Sequence, residues 1–336
     1  MKMILLMLTL TVMPIIAVVL AERRAAVGQP STNADVPARP SEELMENRQV
    51  AALTEMKDAV NAGDAGRYAR AYAPDAVITI HGGVELKGRS SIEQYEVELM
   101  REFPGTRFAF YAIWLKGPQA VVHYAVKGKT PSGKGMGHEG LLFYRFQSSG
   151  LIEEEHRYLD SMTPMAQMGM LGTLTVRPPP RLPTDTKVHM AKESRTERQN
   201  VAMVRASVAA LNSRNELAFL SAIAEDAVLD ELINPQPVEG KRNVKAWFEA
   251  WTGAVPDARF EINTILGIGD FVLTETVLRG TLKGPLGGLS ASNRGFVVHR
   301  AMIAQVKNET FARISAFMNG KELAEAVGQW PPPIVK

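Results

Sequence analysis

Between Ile152 and Asp160 the chain reads IEEEHRYLD, so three side chains able to move protons, His156, Tyr158 and Asp160, stand at every second position. In an extended strand successive side chains point to opposite faces, so this spacing gathers all three on one face, together with Ile152 and Glu154. A carboxylate, an imidazole and a phenol in a shared apolar pocket could carry out enolisation. The carboxylate becomes more basic as water is excluded and can remove a proton next to a carbonyl. The neutral phenol or imidazole can then donate a hydrogen bond to the oxygen on which charge develops. Such chemistry requires no metal, and neither a metal nor a cofactor is expected. Plainer roles stand beside it: Asp160 as a structural cap, a hydrogen-bond acceptor or a surface group, and His156 as the partner of Glu154. The GHEG stretch at 137–140 offers one His–Glu pair and no third ligand for a metal.

The rest of the sequence must supply the elements that hold this strand. With 336 residues, 46% hydrophobic and 22% charged, the composition is ordinary globular, with room for about two domains. A net charge of +2 with scattered basic residues gives no footprint for nucleic acid. The absence of cysteine excludes disulfides, thiolate catalysis, Cys-ligated zinc and iron–sulfur clusters. At the N-terminus Lys2 precedes an apolar run from Met3 to Leu20, and VLA at 19–21 suits cleavage after Ala21. The run is also long enough to span a membrane. Residues 1–21 are therefore expected to be a signal peptide or a membrane anchor. Either role makes the folded part periplasmic or secreted, or anchored to the membrane by residues 3–20, although Arg23 and Arg24 argue mildly against that orientation. Residues 22–44, rich in Pro, Ala, Ser and Asn without period, read as a disordered spacer.

One pattern is written twice. AVNAGDAGRYARAYAPDAVITI (59–80) and ALNSRNELAFLSAIAEDAVLDE (210–231) share a helix ending in Asn, a short helix, and DAV opening a β-branched run. Asp75 and Asp226 are 151 residues apart, and Phe108 and Phe260 are 152 apart. HEGLLFYRF (138–146) then parallels NRGFVVHRAM (293–302), with an offset grown to 155. Two modules are expected, at 45–172 and 195–330, joined by a proline-rich linker at 173–194 that can neither continue a helix nor pair inside a sheet. Within the first, helices are expected at 42–61, 65–72 and 91–103, the last capped by Ser90 or Ser91. Strands are expected at 77–81, 106–115, 120–127, 140–146 and 152–160. The fold class is α+β: two tandem cone-shaped domains, each a curved antiparallel sheet wrapped on N-terminal helices, whose hollow is a natural pocket for a small apolar molecule.

AGDAGRYARAYAPDAVITIHGG, GHEGLLFYRF and GLIEEEHRYLDSMTPMAQMG resemble the SnoaL-like group of the nuclear transport factor 2-like superfamily. The resemblance covers 45–172 well and 195–330 less well. It implies a closing strand whose terminal acid points into the cone, a position that falls on Asp160. His156, Tyr158 and Asp160 would then line the pocket of the first domain. His81 would supplement them, with Trp114, Tyr124 and Tyr144 as apolar walls. The second copy has no aspartate on its closing strand; Ser315 or Asn319 stands in that place, and its interior offers Asp230, Glu275 and His299. The group includes polyketide cyclases, ketosteroid isomerases, epoxide hydrolases and plain binding modules. The expected function is accordingly an exported protein binding a small apolar ligand in the first cone, with or without cyclase- or isomerase-type acid–base chemistry. A non-catalytic binding module and a structural pseudo-dimer of the cell envelope are the alternatives. Pairing of the two domains within the chain is expected, and a homodimer is left open.

Overall fold

A computed structural model describes residues 40–130, 133–172 and 174–330. The expected export or anchor segment and nearly all of the spacer lie outside these residues. Among the described residues no helix is long and apolar enough to cross a membrane.

The first module opens with α1 (Pro40–Ala62), α2 (Ala65–Ala69), β1 (Tyr72–Ile80), β2 (Glu85–Lys87) and α3 (Arg89–Glu102). It continues through β3 (Arg107–Lys116), β4 (Gln119–Lys129), β5 (Gly135–Phe146), β6 (Ile152–Leu159) and α4 (Met162–Gln167). After β7 (Lys187–Met190) the series repeats as α5 (Arg195–Ser213), α6 (Glu216–Ser221), β8 (Ile223–Glu231), β9 (Val238–Glu239) and α7 (Lys241–Ala254). It ends with β10 (Arg259–Ile268), β11 (Phe271–Thr281), β12 (Gly295–Lys307), β13 (Thr310–Met318) and α8 (Gly320–Ala326).

The two sheets have one topology. The first runs β2-β1-β6-β5-β4-β3-β7, and the second matches its first six strands as β9-β8-β13-β12-β11-β10. In each, four strands form an antiparallel meander and the opening strand adds in parallel beside the last, β1 on β6 and β8 on β13. A bulge falls between Phe110 and Ala112 in β3 and again, one repeat later, between Ile262 and Thr264 in β10. Such bulges bend a strand and help cup the sheet over its helices.

Local contacts repeat as faithfully as the strands. Asn61 Nδ2 donates to Phe108 O at 2.9 Å while its Oδ1 accepts from Phe108 N at 2.8 Å. Asn212 clamps Phe260 in the same way, at 2.9 and 2.7 Å. Gln49 donates to Gly117 O as Asn200 does to Gly269 O. The helices α3 and α7 are not capped by serine: each starts after a glycine, Gly88 or Gly240, at φ of 81° or 79° with no side-chain cap. A glycine holds that positive φ without the Cβ clash that another residue would meet.

The linker is more structured than a spacer. Beyond its last proline, Pro183, residues 187–190 pair in parallel with β3 and form the edge of the first sheet. This respects the rule that proline is kept out of sheet ladders.

Each sheet packs one face on its own helices. Leu53, Met56, Tyr68 and Ile92 meet Ile113, Leu115, Val122 and Leu142 in the first cone. Val204, Phe219 and Phe248 meet Val272 and Ile314 in the second. The opposite faces pack on each other: Trp114, Val121, Leu141, Phe143 and Tyr158 meet Leu266, Leu273, Ala301, Ile303 and Phe317. Like strands touch across this junction, β3 with β10 and β6 with β13, as in a two-fold dimer.

Because the amide clamps tie a helix C-terminus to a sheet edge in both copies, Asn61→Ala and Asn212→Ala are each expected to cost about 2 kcal/mol. Urea denaturation of the two variants measures this, and the expectation is of similar losses.

Candidate functional site

The alternation along β6 is as expected, but its two faces are exchanged. His156 and Tyr158 turn to the junction between the sheets, while Glu155 and Arg157 turn into the cone. This places five of the expected site residues together outside the cone. Tyr158 OH donates to Glu275 Oε1 at 3.0 Å, and His156 Nδ1 lies 2.6 Å from the same oxygen. His156 Nε2 lies 3.3 Å from Glu154. The His81 ring stacks on Tyr158 and on His299, each at 4.4 Å between centroids, and meets His156 edge-on at 5.6 Å. His299 Nδ1 lies 2.8 Å from Glu322.

The electrostatics follow from this crowding. Burial, with His299 and His156 alongside, pushes His81 down to about 3, so its ring is neutral. Burial works against a charged His156, but the hydrogen bond and charge of Glu275, with Glu154, raise it above the ordinary histidine value. Burial works the other way on Glu275, and His156 nevertheless holds its carboxyl below the usual range.

Asp160 is neither a cone acid nor a surface group. It is 7% exposed and accepts from Thr163 N and Oγ1, Met162 N and, across the junction, Gly320 N. The adjoining cavity, lined in part by His138, Asp160, Thr163 and Arg177, measures about 30 Å³, the size of a water and not of a substrate. Pairing fixes its counterpart. Thr79 opposes His156 as Asp230 opposes Ser315, so Asn319 stands where Asp160 does. Asn319 caps α8 through Lys321 N and accepts from Ser161 N and Oγ. Each half thus caps its own closing helix and grips the helix start of the other.

The remaining placements need correction too. Trp114 lies in the junction core rather than on a cone wall. Asp230, expected inside the second cone, sits on the junction side of its sheet, paired with Arg177 of the linker and with Arg313. His299 matches Glu139 and not Tyr144, because Gly140 and Arg300 occupy equivalent rungs of their sheets and the true offset there is 160. Tyr124 and Tyr144 are buried in the core of the first cone. In the GHEG stretch Glu139 pairs with His123 at 2.9 Å while His138 points oppositely, to Tyr124 OH at 3.3 Å.

Inside the first cone is a group the spacing did not reveal. Arg157 donates through Nε to Glu155, through Nη1 to Glu96 at 3.0 Å and through Nη2 to Tyr68 OH at 2.8 Å. The Tyr68 and Tyr72 hydroxyls are 2.8 Å apart, and Tyr72 donates to Glu155, closing the ring. Glu96 is 4% exposed; burial raises its pKa against the pull of Arg157. Burial likewise pushes the Tyr68 and Tyr72 phenols well up, keeping them protonated. A carboxylate of raised pKa, a guanidinium and neutral phenols buried side by side are groups able to exchange protons. The available signal was the inward spacing of Glu96 among Ile92 and Tyr95 on α3, an acid on the face that must be buried.

Residues 53–155 match the SnoaL-like domain family, and residues 201–324 match the SnoaL-like polyketide cyclase family. The chain is two SnoaL-like domains in tandem. Each domain pairs a meander sheet with helices packed on one of its faces, the α+β arrangement expected. Among solved structures it is similar to a protein assigned as a SnoaL-like polyketide cyclase from Jannaschia (19% identity; 42% of this chain, 97% of that one; TM-score 0.38). It is also similar to a protein of ketosteroid isomerase-like fold from Catenulispora acidiphila, in complex with trimethylamine (20%; 39% and 97%; 0.34). A third is an epoxide hydrolase of the LEH-like kind from M. tuberculosis (14%; 39% and 91%; 0.34). A comparison with curated proteins found no match.

Two outcomes follow for the SnoaL-like pair. Asp160→Ala strands donors from both halves and is expected to lower stability by about 3 kcal/mol in chemical denaturation. Burial pushes His138 down to about 4, against 6.5 unperturbed. Between those values only the unfolded chain takes up its proton, so stability is lost as pH falls, by up to ~1.4 kcal/mol per pH unit. His138→Gln is expected to flatten the fall between pH 6.5 and pH 4, read from denaturation midpoints across that range.

Proposed function

We propose that the first SnoaL-like domain binds a small, largely apolar carbonyl compound in its cone and moves a proton next to the carbonyl, as a cyclase or isomerase does. The buried Glu96–Arg157–Glu155 array, joined to Tyr68 and Tyr72, is the observation that carries this reading. Removing charges from water is costly, and filling a cone with apolar side chains would stabilise it at least as well, so a charged ring buried inside the cone points to chemistry. Glu96, more basic than a solvated carboxylate, takes the proton. Tyr68, with Arg157 behind it, donates its hydroxyl proton to Tyr72 in the closed ring and would turn it to the enolate oxygen of a bound ketone. Tyr124 and Tyr144 supply the apolar walls. The export reading belongs to the same proposal and is supported by Lys2, the apolar run to Leu20 and the VLA that follows.

A non-catalytic binding module is the second reading, favoured by one feature: the hydrogen bonds of the ring close on themselves. Exchange of α-protons of small cyclic ketones in D₂O, followed by NMR, separates the two. The wild type is expected to accelerate exchange, Glu96→Gln to lose about 10²-fold or more, and Tyr68→Phe to lose a smaller factor with the fold retained. Absence of any acceleration by the wild type would favour the binding module.

A further inference from the structure

The junction cluster has features that packing of two sheets does not require. His81, His156 and Glu275 each present one ligating atom, and the three atoms lie within 4.8 Å of one another. His81 Nε2 is buried without a hydrogen-bond partner, an expensive state for a ring nitrogen in a protein interior. His156 has Nδ1 towards Glu275 and Nε2 towards Glu154, and Glu275 accepts from Tyr158. An imidazole whose far nitrogen faces a carboxylate, beside a carboxylate anchored by a phenol, is the outer arrangement that orients metal ligands.

The internal duplication supplies a control. At the equivalent place across the pseudo-two-fold, strand pairing puts Leu232, Ser315 and His123 where His81, His156 and Glu275 stand, and Phe317 where Tyr158 does. There His123 turns to Glu139 and packs edge-on against Phe317. The same junction is therefore closed on one side with a leucine, a serine, a phenylalanine and a histidine held by Glu139 of its own sheet, and on the other with two histidines and a phenol around an acid.

We infer that His81, His156 and Glu275 form a binding site for a divalent transition-metal ion of the zinc class, built from both domains at their junction. Two imidazoles and one carboxylate suit such an ion, whereas calcium and magnesium prefer oxygen ligands. Bonds of about 2.0–2.2 Å to each ligand require the 2.6 Å contact between His156 and Glu275 to open by less than about 1 Å, with His81 closing in. Three protein ligands leave a position for water or another small donor, and the His156 side chain, 30% exposed, keeps that side open to solvent. The site is separate from the Glu96–Arg157 ring and does not rest on the function proposed for it.

The test uses the full chain freed of metal with a chelator. Co²⁺ is titrated while its d–d absorption is followed, and Zn²⁺ is titrated by calorimetry. One equivalent is expected to bind, with intensified d–d bands of low-coordinate Co²⁺ and a rise in Tm with metal. His81→Phe keeps the stacked ring while removing the ligating nitrogen, and is expected to weaken binding by about 100-fold or more at unchanged fold. Glu275→Gln is expected to do the same where it folds. Glu96→Gln in the cone and His189→Ala, in β7 where its ring stacks on Trp114 outside the cluster, are expected to bind as the wild type does, which keeps this result apart from the outcome of the ketone assay. No stoichiometric binding by the wild type, or an unchanged affinity in His81→Phe, would overturn the site.

Discussion

The structure depends on one constraint: each cupped sheet has two apolar faces and so must be covered twice. The helices cover the concave face in each domain, and the convex faces cover each other. Trp114, Leu141 and Phe143 are buried against Leu273, Ile303 and Phe317 of the second copy, with His189 of β7 stacked on Trp114. Either domain alone would expose this surface as a broad apolar patch. Tandem duplication thus places within one chain the contact that a homodimer would make between two.

A two-fold contact between identical copies would have to be symmetric, and this one is free not to be. The clasp at the domain ends keeps the symmetry: Asp160 and Asn319 each cap their own helix and reach the other's. The middle of the junction has lost it. Two sites equivalent by topology carry unlike chemistry, His81, His156, Tyr158 and Glu275 on one side and Leu232, Ser315, Phe317 and His123 on the other. Sequence drift between covalently joined copies permits this, because a substitution in one half is not repeated in the other.

The cones have diverged as well. The first holds the Arg157 ring with Glu96, Glu155 and two tyrosines. The second holds a smaller arrangement, in which Arg300 and Trp247 both donate to Glu231 and Arg300 lies over Phe260. Burial pulls the Arg300 pKa down, whereas in the first cone Arg157, for all its burial, is held well up by Glu155, Tyr68 and Glu96. The second cone keeps a charged pair beneath an aromatic lid but lacks the closed phenol–carboxylate circuit.

The sequence by itself determined the duplication, the α+β order of elements and the alternation along β6, because these rest on local propensity, on spacing and on a pattern written twice. It also marked most of the residues now seen to converge at the junction. It did not decide which side of β6 was the inside. Strand β5 is apolar on both faces, one set by Leu142 and Tyr144 and the other by Leu141 and Phe143, so hydrophobic patterning could not tell cone from junction. Only the docking of the second sheet decides that. The family resemblance implies His156 and Tyr158 in the cone, whereas the side chain that enters it is that of Arg157, between them. The pairing of Glu275 with residues 117 and 119 positions earlier is likewise a fact of tertiary structure: nothing local links β11 to β6 until the two sheets meet.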